Sequence, residues 1–106
     1  MIIYKLQESG SRSMGFPTLE KYFQHQKDAL IAFDAKIKEY RKSKELAKKK
    51  DLDGGKPIKI FENPESFQTK VLKEAWISVW DCCRTDCGEE WDIESVHLEI
   101  IEIEVA

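Results

Sequence analysis

Val96-His97-Leu98-Glu99-Ile100-Ile101-Glu102-Ile103-Glu104-Val105, close to the C-terminus of a 106-residue chain, is the stretch whose reading decides the fold class. Apolar and polar residues alternate there at a period of two, the mark of a strand with two unlike faces. Val96, Leu98 and Ile100 take one parity; Ile101, Ile103 and Val105 take the other. The phase breaks at Ile100-Ile101. One extra residue there predicts a bulge; the alternative is a strand covered on both faces with no bulge. Glu99, Glu102 and Glu104 fill the polar positions. They read as a solvated strand face whose charges guard a β-prone edge.

Such a strand needs partners for its backbone groups. Ile2-Ile3-Tyr4-Lys5-Leu6-Gln7 alternates in the same way, with Ile2, Tyr4 and Leu6 on one face. Glu8 to Pro17, rich in Ser and Gly, reads as a loop. Leu19 to Phe23 then reads either as a second strand or as the opening of a helix. The strand is preferred, because a lone N-terminal strand leaves its N–H and C=O groups unpaired. It puts Leu19, Lys21 and Phe23 on one face and Tyr22 on the other. Pro57 to Phe61 is a short strand candidate at a start or an edge, since Pro57 has no N–H to donate. Trp76 to Trp80 is readable as a strand or as a helix end.

Helical spacing governs two other stretches. From about Gln24 to Lys49, Ala29, Leu30, Phe33, Ile37 and Tyr40 form an apolar stripe. The stripe thins after Tyr40, and Asp51-Leu52-Asp53-Gly54-Gly55 stops the helix. A second, shorter helix is expected after Asn63, which can cap it, with Pro64 at the first helical position. Phe67, Val71, Leu72, Ala75 and Trp76 recur there at helical spacing. The expected fold is α+β, one domain over 1–106. An antiparallel sheet of four to five strands packs against the long helix. The expected core is Ile3, Leu6, Phe23, Leu30, Phe33, Ile37, Ile60, Phe67, Val71, Leu72, Trp76, Leu98 and Ile100.

Seventeen Lys and Arg face 20 Asp and Glu, for a formal net charge of -3, and 42% of residues are hydrophobic. That composition supports a packed core and excludes wholesale disorder. No apolar run reaches the roughly 18 residues of a membrane span, so no membrane partner is expected. Charge is unevenly laid out. A basic interaction surface is expected from Lys38, Arg41, Lys42, Lys44, Lys48 and Lys49. An acidic one is expected from Glu89, Glu90, Asp92, Glu94, Glu99, Glu102 and Glu104. The two can pair within a homodimer or steer partners of opposite sign. Trp76, Trp80 and Trp91 mainly fill the core in this reading. A part-exposed Trp80 or Trp91 would serve as an interface anchor.

Cys82, Cys83 and Cys87 are odd in number and lie within six positions, so they cannot staple distant parts of the chain. They point to a reducing, cytoplasmic setting and to thiols packed as small apolar groups. With His97 they are weak zinc candidates, but their spacing matches no standard finger or ribbon. No metal and no cofactor is therefore assigned. His25 and His97 sit in no catalytic motif, no Gly-Lys-Ser/Thr phosphate loop exists, and no catalytic residue is assigned.

Ile2 to Leu6, Leu19 to Phe23, Lys27 to Ala29 and the glutamate-rich Val96 to Glu104 together resemble a layout of small phage and mobile-element proteins. The resemblance implies an accessory protein acting in the host cytoplasm, with no catalytic residues. Among such proteins, inhibitors of bacterial defence complexes, anti-CRISPR proteins included, are similar in size and acidity. The expected function is a non-enzymatic protein-interaction module, of the phage-encoded inhibitor type, whose partner is a protein such as a host defence complex. A small nucleic-acid-associated protein using the lysine-rich helix end is the second reading. A zinc- or redox-dependent regulator using the cysteine cluster is the third.

Overall fold

The computed structural model describes residues 1–10, 17–52, 55–66, 69–85 and 88–105, with backbone alone for 17 and 82–85. Five strands, β1 (Ile2–Gly10), β2 (Pro17–Phe23), β3 (Ile58–Glu62), β4 (Lys70–Thr85) and β5 (Gly88–Glu104), join one helix, α1 (Gln26–Lys42). The strands form one antiparallel sheet in the order β2-β1-β5-β4-β3. The alternation at the C-terminus thus builds a strand, as expected, but not an edge. β5 lies in the middle of the sheet, paired to β1 from Val96 to Glu104 and to β4 along almost its whole length. Glu99, Glu102 and Glu104 guard no edge.

The phase break at Ile100-Ile101 is resolved by a different strand. The β1–β5 register runs unbroken through it. Val71 pairs with Ile101 and Lys73 with Ile100, so the extra residue is Leu72 of β4. Both faces of β5 carry apolar side chains there. Ile100 is fully buried on the helix side, and Ile101 is half-buried on the other.

Leu6, Val96, Leu98, Ile100, Ala75 and Ile77 point to the helix side of the sheet and meet Ala29, Phe33 and Ile37 of α1. These form one contiguous core. Lys73, on the same side, lies 5.1 Å above the Phe33 ring and 3.4 Å from Asp34. β2 is a strand, as expected, with Phe23 packed against the core and Tyr22 exposed on the far face.

The helix is shorter than its sequence predicts. It ends at Lys42, and Ser43 takes an extended conformation. Leu46 then bridges Val79, Ala47 N–H donates to the Ser78 carbonyl (3.0 Å) and Trp80 N–H donates to the Glu45 carbonyl (2.7 Å). β4 outruns β3, so its outer edge beyond Ile77 has backbone groups to satisfy. Leu46 and Ala47 satisfy them and bury Ala47. That outweighs the few tenths of a kcal/mol per residue that favour continuing a lysine-rich helix.

The second helix expected after Asn63 is not formed. Asn63 has φ 47°, in the left-handed region, whereas a helix N-cap is extended. Its N–H donates to the Leu72 carbonyl (2.9 Å), turning the chain from β3 into β4. The residues read at helical spacing become a strand. Ala75 and Trp76 therefore go to opposite faces, Ala75 buried and Trp76 43% exposed. Trp76 and the 38%-exposed Ile60 leave the expected core, while Ala47, Ala75, Ile77 and Val96 join the buried set. Val71, Leu6, Phe33, Ile37, Leu98 and Ile100 are buried as expected. Phe67 lies outside the described residues.

Past Trp80 and Ile93, β4 and β5 pair only with each other among the described residues. Asp81–Thr85 and Gly88–Asp92 form a two-stranded arm. The molecule extends 52 × 29 × 25 Å, and its radius of gyration is 15.3 Å. A compact chain of this length would have about 13 Å. Phe33 is the largest fully buried side chain among the described residues. Phe33→Ala should cost about 3–5 kcal/mol, read from chemical denaturation, a large part of the stability of so small a domain.

Candidate functional site

The helix covers one face of the sheet and leaves the other open. Strand parity decides what stands there. Trp76, Ser78 and Trp80 of β4 share the open side with Trp91, Ile93, Ser95, His97 and Glu99 of β5. Phe61 of β3, Gln7 and Lys5 of β1, and Tyr22 of β2 extend the same surface. All three tryptophans thus lie on one face. Phe61 is 47% exposed and Trp91 57% exposed.

A groove of about 890 Å³ opens on this face. Trp76, Phe61 and Pro64 give it apolar walls, Leu52 and Gly55 close one side, and Lys56, Lys59 and Glu74 bring charge; Ile60 and Glu62 also line it, though their strand parity is that of the helix side. A smaller cavity of about 380 Å³ shares Trp76 and is lined by Gln7, Ser95, His97 and Glu99. Trp76 is the wall between them.

His97 fixes Trp76 in place. The two rings stack with centroids 4.1 Å apart and planes 13° from parallel. His97 Nε2 lies 2.8 Å from Glu74 Oε2 and 3.7 Å from Glu99 Oε2. The Gln7 amide donates to the other oxygen of Glu99. Together these bonds give Trp76 a set orientation while one side of its indole faces the groove. The ligand atoms of Glu74, His97 and Glu99 all lie within 4.8 Å of one another, so these are the described residues that could hold a cation. Of the weak zinc candidates expected from the sequence, Cys82 and Cys83 have their backbone on β4 well away from His97. His97 pairs with Trp76 and Cys82 with Trp91, six positions further along the ribbon, a separation of about 20 Å. Cys87 and the side chains of Cys82 and Cys83 lie outside the described residues.

Trp80 is held differently. Its indole N–H donates to Asp51 Oδ2 at 3.3 Å, and the Lys48 N–H donates to the same oxygen at 3.0 Å. Those bonds, the backbone one first, hold the Asp51 carboxyl below its usual 3.8. Trp80 is half-buried and engaged, so of the two expected anchors Trp91 is the one that presents its ring to solvent. At the far side of the face, Lys5 reaches Glu20 at 3.0 Å, which raises its ammonium above the usual 10.5, and stands 5.8 Å from the Tyr22 ring centre.

The two charged surfaces expected from the sequence are not continuous. Glu99 stands on the open face, whereas Glu102 is on the helix side and pairs with Lys70 at 3.3 Å. Glu89, Glu90 and Asp92 are exposed on the arm. Lys38, Arg41 and Lys42 are exposed on α1, on the side of the sheet away from the aromatic face; Lys44, Lys48 and Lys49 follow in the segment that runs past β4. The exposed indole of Trp76 was hidden in the sequence by the helical spacing of its neighbours. The alternation Trp76, Ser78, Trp80 was the signal that placed it on a strand face.

Comparison with protein-family models, with curated proteins and with solved structures gives no match.

The Asp51–Trp80 bond has a pH signature. A carboxyl whose folded pKa is depressed adds stability that is present above the unfolded value and lost as pH falls through the folded one. The Trp80 indole N–H resonance should hold its position below pH 3.8 and move only as the lower folded value is crossed. Asp51→Asn should flatten the acid limb of the denaturation midpoint over the same range.

Proposed function

We propose that this protein is a non-enzymatic protein-interaction module that docks its partner on the open face of the sheet. One observation carries the reading. Trp76 and Phe61, 43% and 47% exposed, wall a groove of about 890 Å³ on the face of the sheet opposite α1. Large aromatic side chains in a concave site are the groups that dominate binding energy at protein interfaces. The stack on His97 adds to this, because a side chain already held in one orientation loses little freedom on binding.

A second reading is a nucleic-acid-associated protein. Binding a single strand needs basic groups and stacking aromatics in one groove. Lys38, Arg41 and Lys42 lie on α1, across the sheet from Trp76 and Phe61, but Lys56 and Lys59 line the aromatic groove and Lys49 stands in the turn that ends at its residue Leu52. The resemblance to small phage proteins makes a host defence complex the first partner to test, with inhibition by coverage of its surface. The cytoplasm is the matching compartment.

Immobilised protein should retain a discrete complex from host lysate. Phe61→Ala/Trp76→Ala should weaken that capture by about 30-fold or more, the level of a hot-spot residue. Its thermal midpoint should barely move, since both side chains are half-exposed. Equal capture by the double variant would refute the open face as the docking surface. Salt-sensitive retention on heparin that is lost after charge reversal of Lys42, Lys44, Lys48 and Lys49 would favour the nucleic-acid reading instead.

A further inference from the structure

We propose that Glu74, His97 and Glu99 form a binding site for one divalent transition-metal ion that takes nitrogen and oxygen ligands, of which zinc is the type case. The site goes beyond the docking reading and stands without it.

Strand register assembles the ligands. Glu74 and Glu99 stand directly opposite each other on β4 and β5, and His97 is two residues before Glu99 on the same face. Like charges directly opposite one another in a sheet repel. These two carboxylates are also largely withdrawn from water, their side chains 20% and 13% exposed. Among the described residues no Lys or Arg pairs with either, so a single imidazole faces both acids. An imidazole carries at most one positive charge, whereas a divalent ion supplies the two that the pair requires.

The distances suit an ion of that size. Two ligands of a tetrahedral zinc ion, each about 2.0–2.1 Å from the metal, lie about 3.3 Å apart. His97 Nε2 is 2.8 Å from Glu74 Oε2 and 3.7 Å from Glu99 Oε2, on either side of that spacing, and all three ligand atoms fall within 4.8 Å of one another. The imidazole is already aimed, because its ring is stacked on the Trp76 indole at 4.1 Å. The Gln7 amide holds Oε1 of Glu99 and leaves Oε2 turned to His97, the kind of outer support that ligating carboxylates have. Three protein ligands leave a fourth zinc position open. The cavity of about 380 Å³, lined by Gln7, Ser95 and Trp76, lies against His97 and Glu99 and gives that position room for water. The donor set also selects the metal. Imidazole suits zinc, copper and nickel, whereas magnesium and calcium prefer shells of six or more oxygens.

Calorimetric titration of zinc chloride into the tag-free, chelator-stripped full chain tests this. One zinc per chain should bind with a dissociation constant of about 10 μM or lower, and magnesium should not compete. Glu74→Gln and Glu99→Gln, each close in size to the native side chain, should raise that constant by about 10-fold or more, and His97→Gln should abolish binding. Cys82→Ser/Cys83→Ser/Cys87→Ser should bind zinc as the wild type does, which separates this site from the thiols. Nickel(II) should quench tryptophan emission, zinc should reverse the quench, and Trp76→Phe should lack it, since Trp76 is the indole stacked on the ligand. Circular dichroism should show every variant folded; if His97→Gln is not, the two glutamine exchanges still decide. A wild type that takes up no zinc at about 100 μM, unchanged affinity in both glutamine variants, or zinc lost only with the cysteines would overturn the proposal.

Discussion

β5 presents backbone N–H and C=O groups on two sides, and where it crosses the core, from Val96 to Ile100, both sides have to be paired. That requirement organises the molecule. β1 supplies one side over Val96 to Glu104, which ties the N-terminus of the chain to its C-terminus. The Met1 ammonium and the Val105 N–H close that end by bonding across the ladder. The other side takes a strand as long as β5 itself. β4 provides it, and in doing so presents a free outer edge of its own. β3 pairs with that edge from Lys73 to Ile77, and Leu46 and Ala47 are drawn out of the helix to continue it.

The second constraint is one of area. A helix is about 10 Å across, whereas five strands spaced by about 4.8 Å make a sheet roughly 24 Å wide. α1 therefore covers the middle of one face, where Ala29, Phe33 and Ile37 meet Leu6, Leu98 and Ile100, and nothing of the other. Small Ala75 and compact Ile77 go beneath the helix, and the tryptophans go to the open side. The surface so formed has a fixed middle. At the middle, Trp76 is held by the His97 stack and His97 by Glu74. At one end the arm carries Trp91, 57% exposed.

The strands at both ends of the chain, β2 and the edge position of β3 were legible in the sequence, because period-two alternation and a proline without an N–H report directly on local backbone. The first helix was legible up to Tyr40, where its apolar stripe gives out. The missed elements share one cause. Val71, Leu72, Ala75 and Trp76 fit a helix at a spacing of three and four; Trp76, Ser78 and Trp80 against Ile77 and Val79 fit a strand. The residues alone satisfied both patterns. Leu46 and Ala47 were equally ambiguous, being the only apolar residues in a lysine-rich segment.

The candidate site was legible as chemistry but not as a place. Its tryptophans, histidine and glutamates stand out in the sequence, yet Trp76 was grouped with the core and His97 with the cysteines. The sequence by itself determined the strand at each end of the chain, the helical stripe and the balance of charge, since these depend on residues a few positions apart. Only the tertiary structure decided that Lys70–Thr85 is a strand, that Glu74, Trp76 and His97 meet, and that the tryptophans share the face opposite the helix. Those outcomes follow from hydrogen-bond pairing between segments distant in sequence, and no local pattern encodes which edge will need a partner.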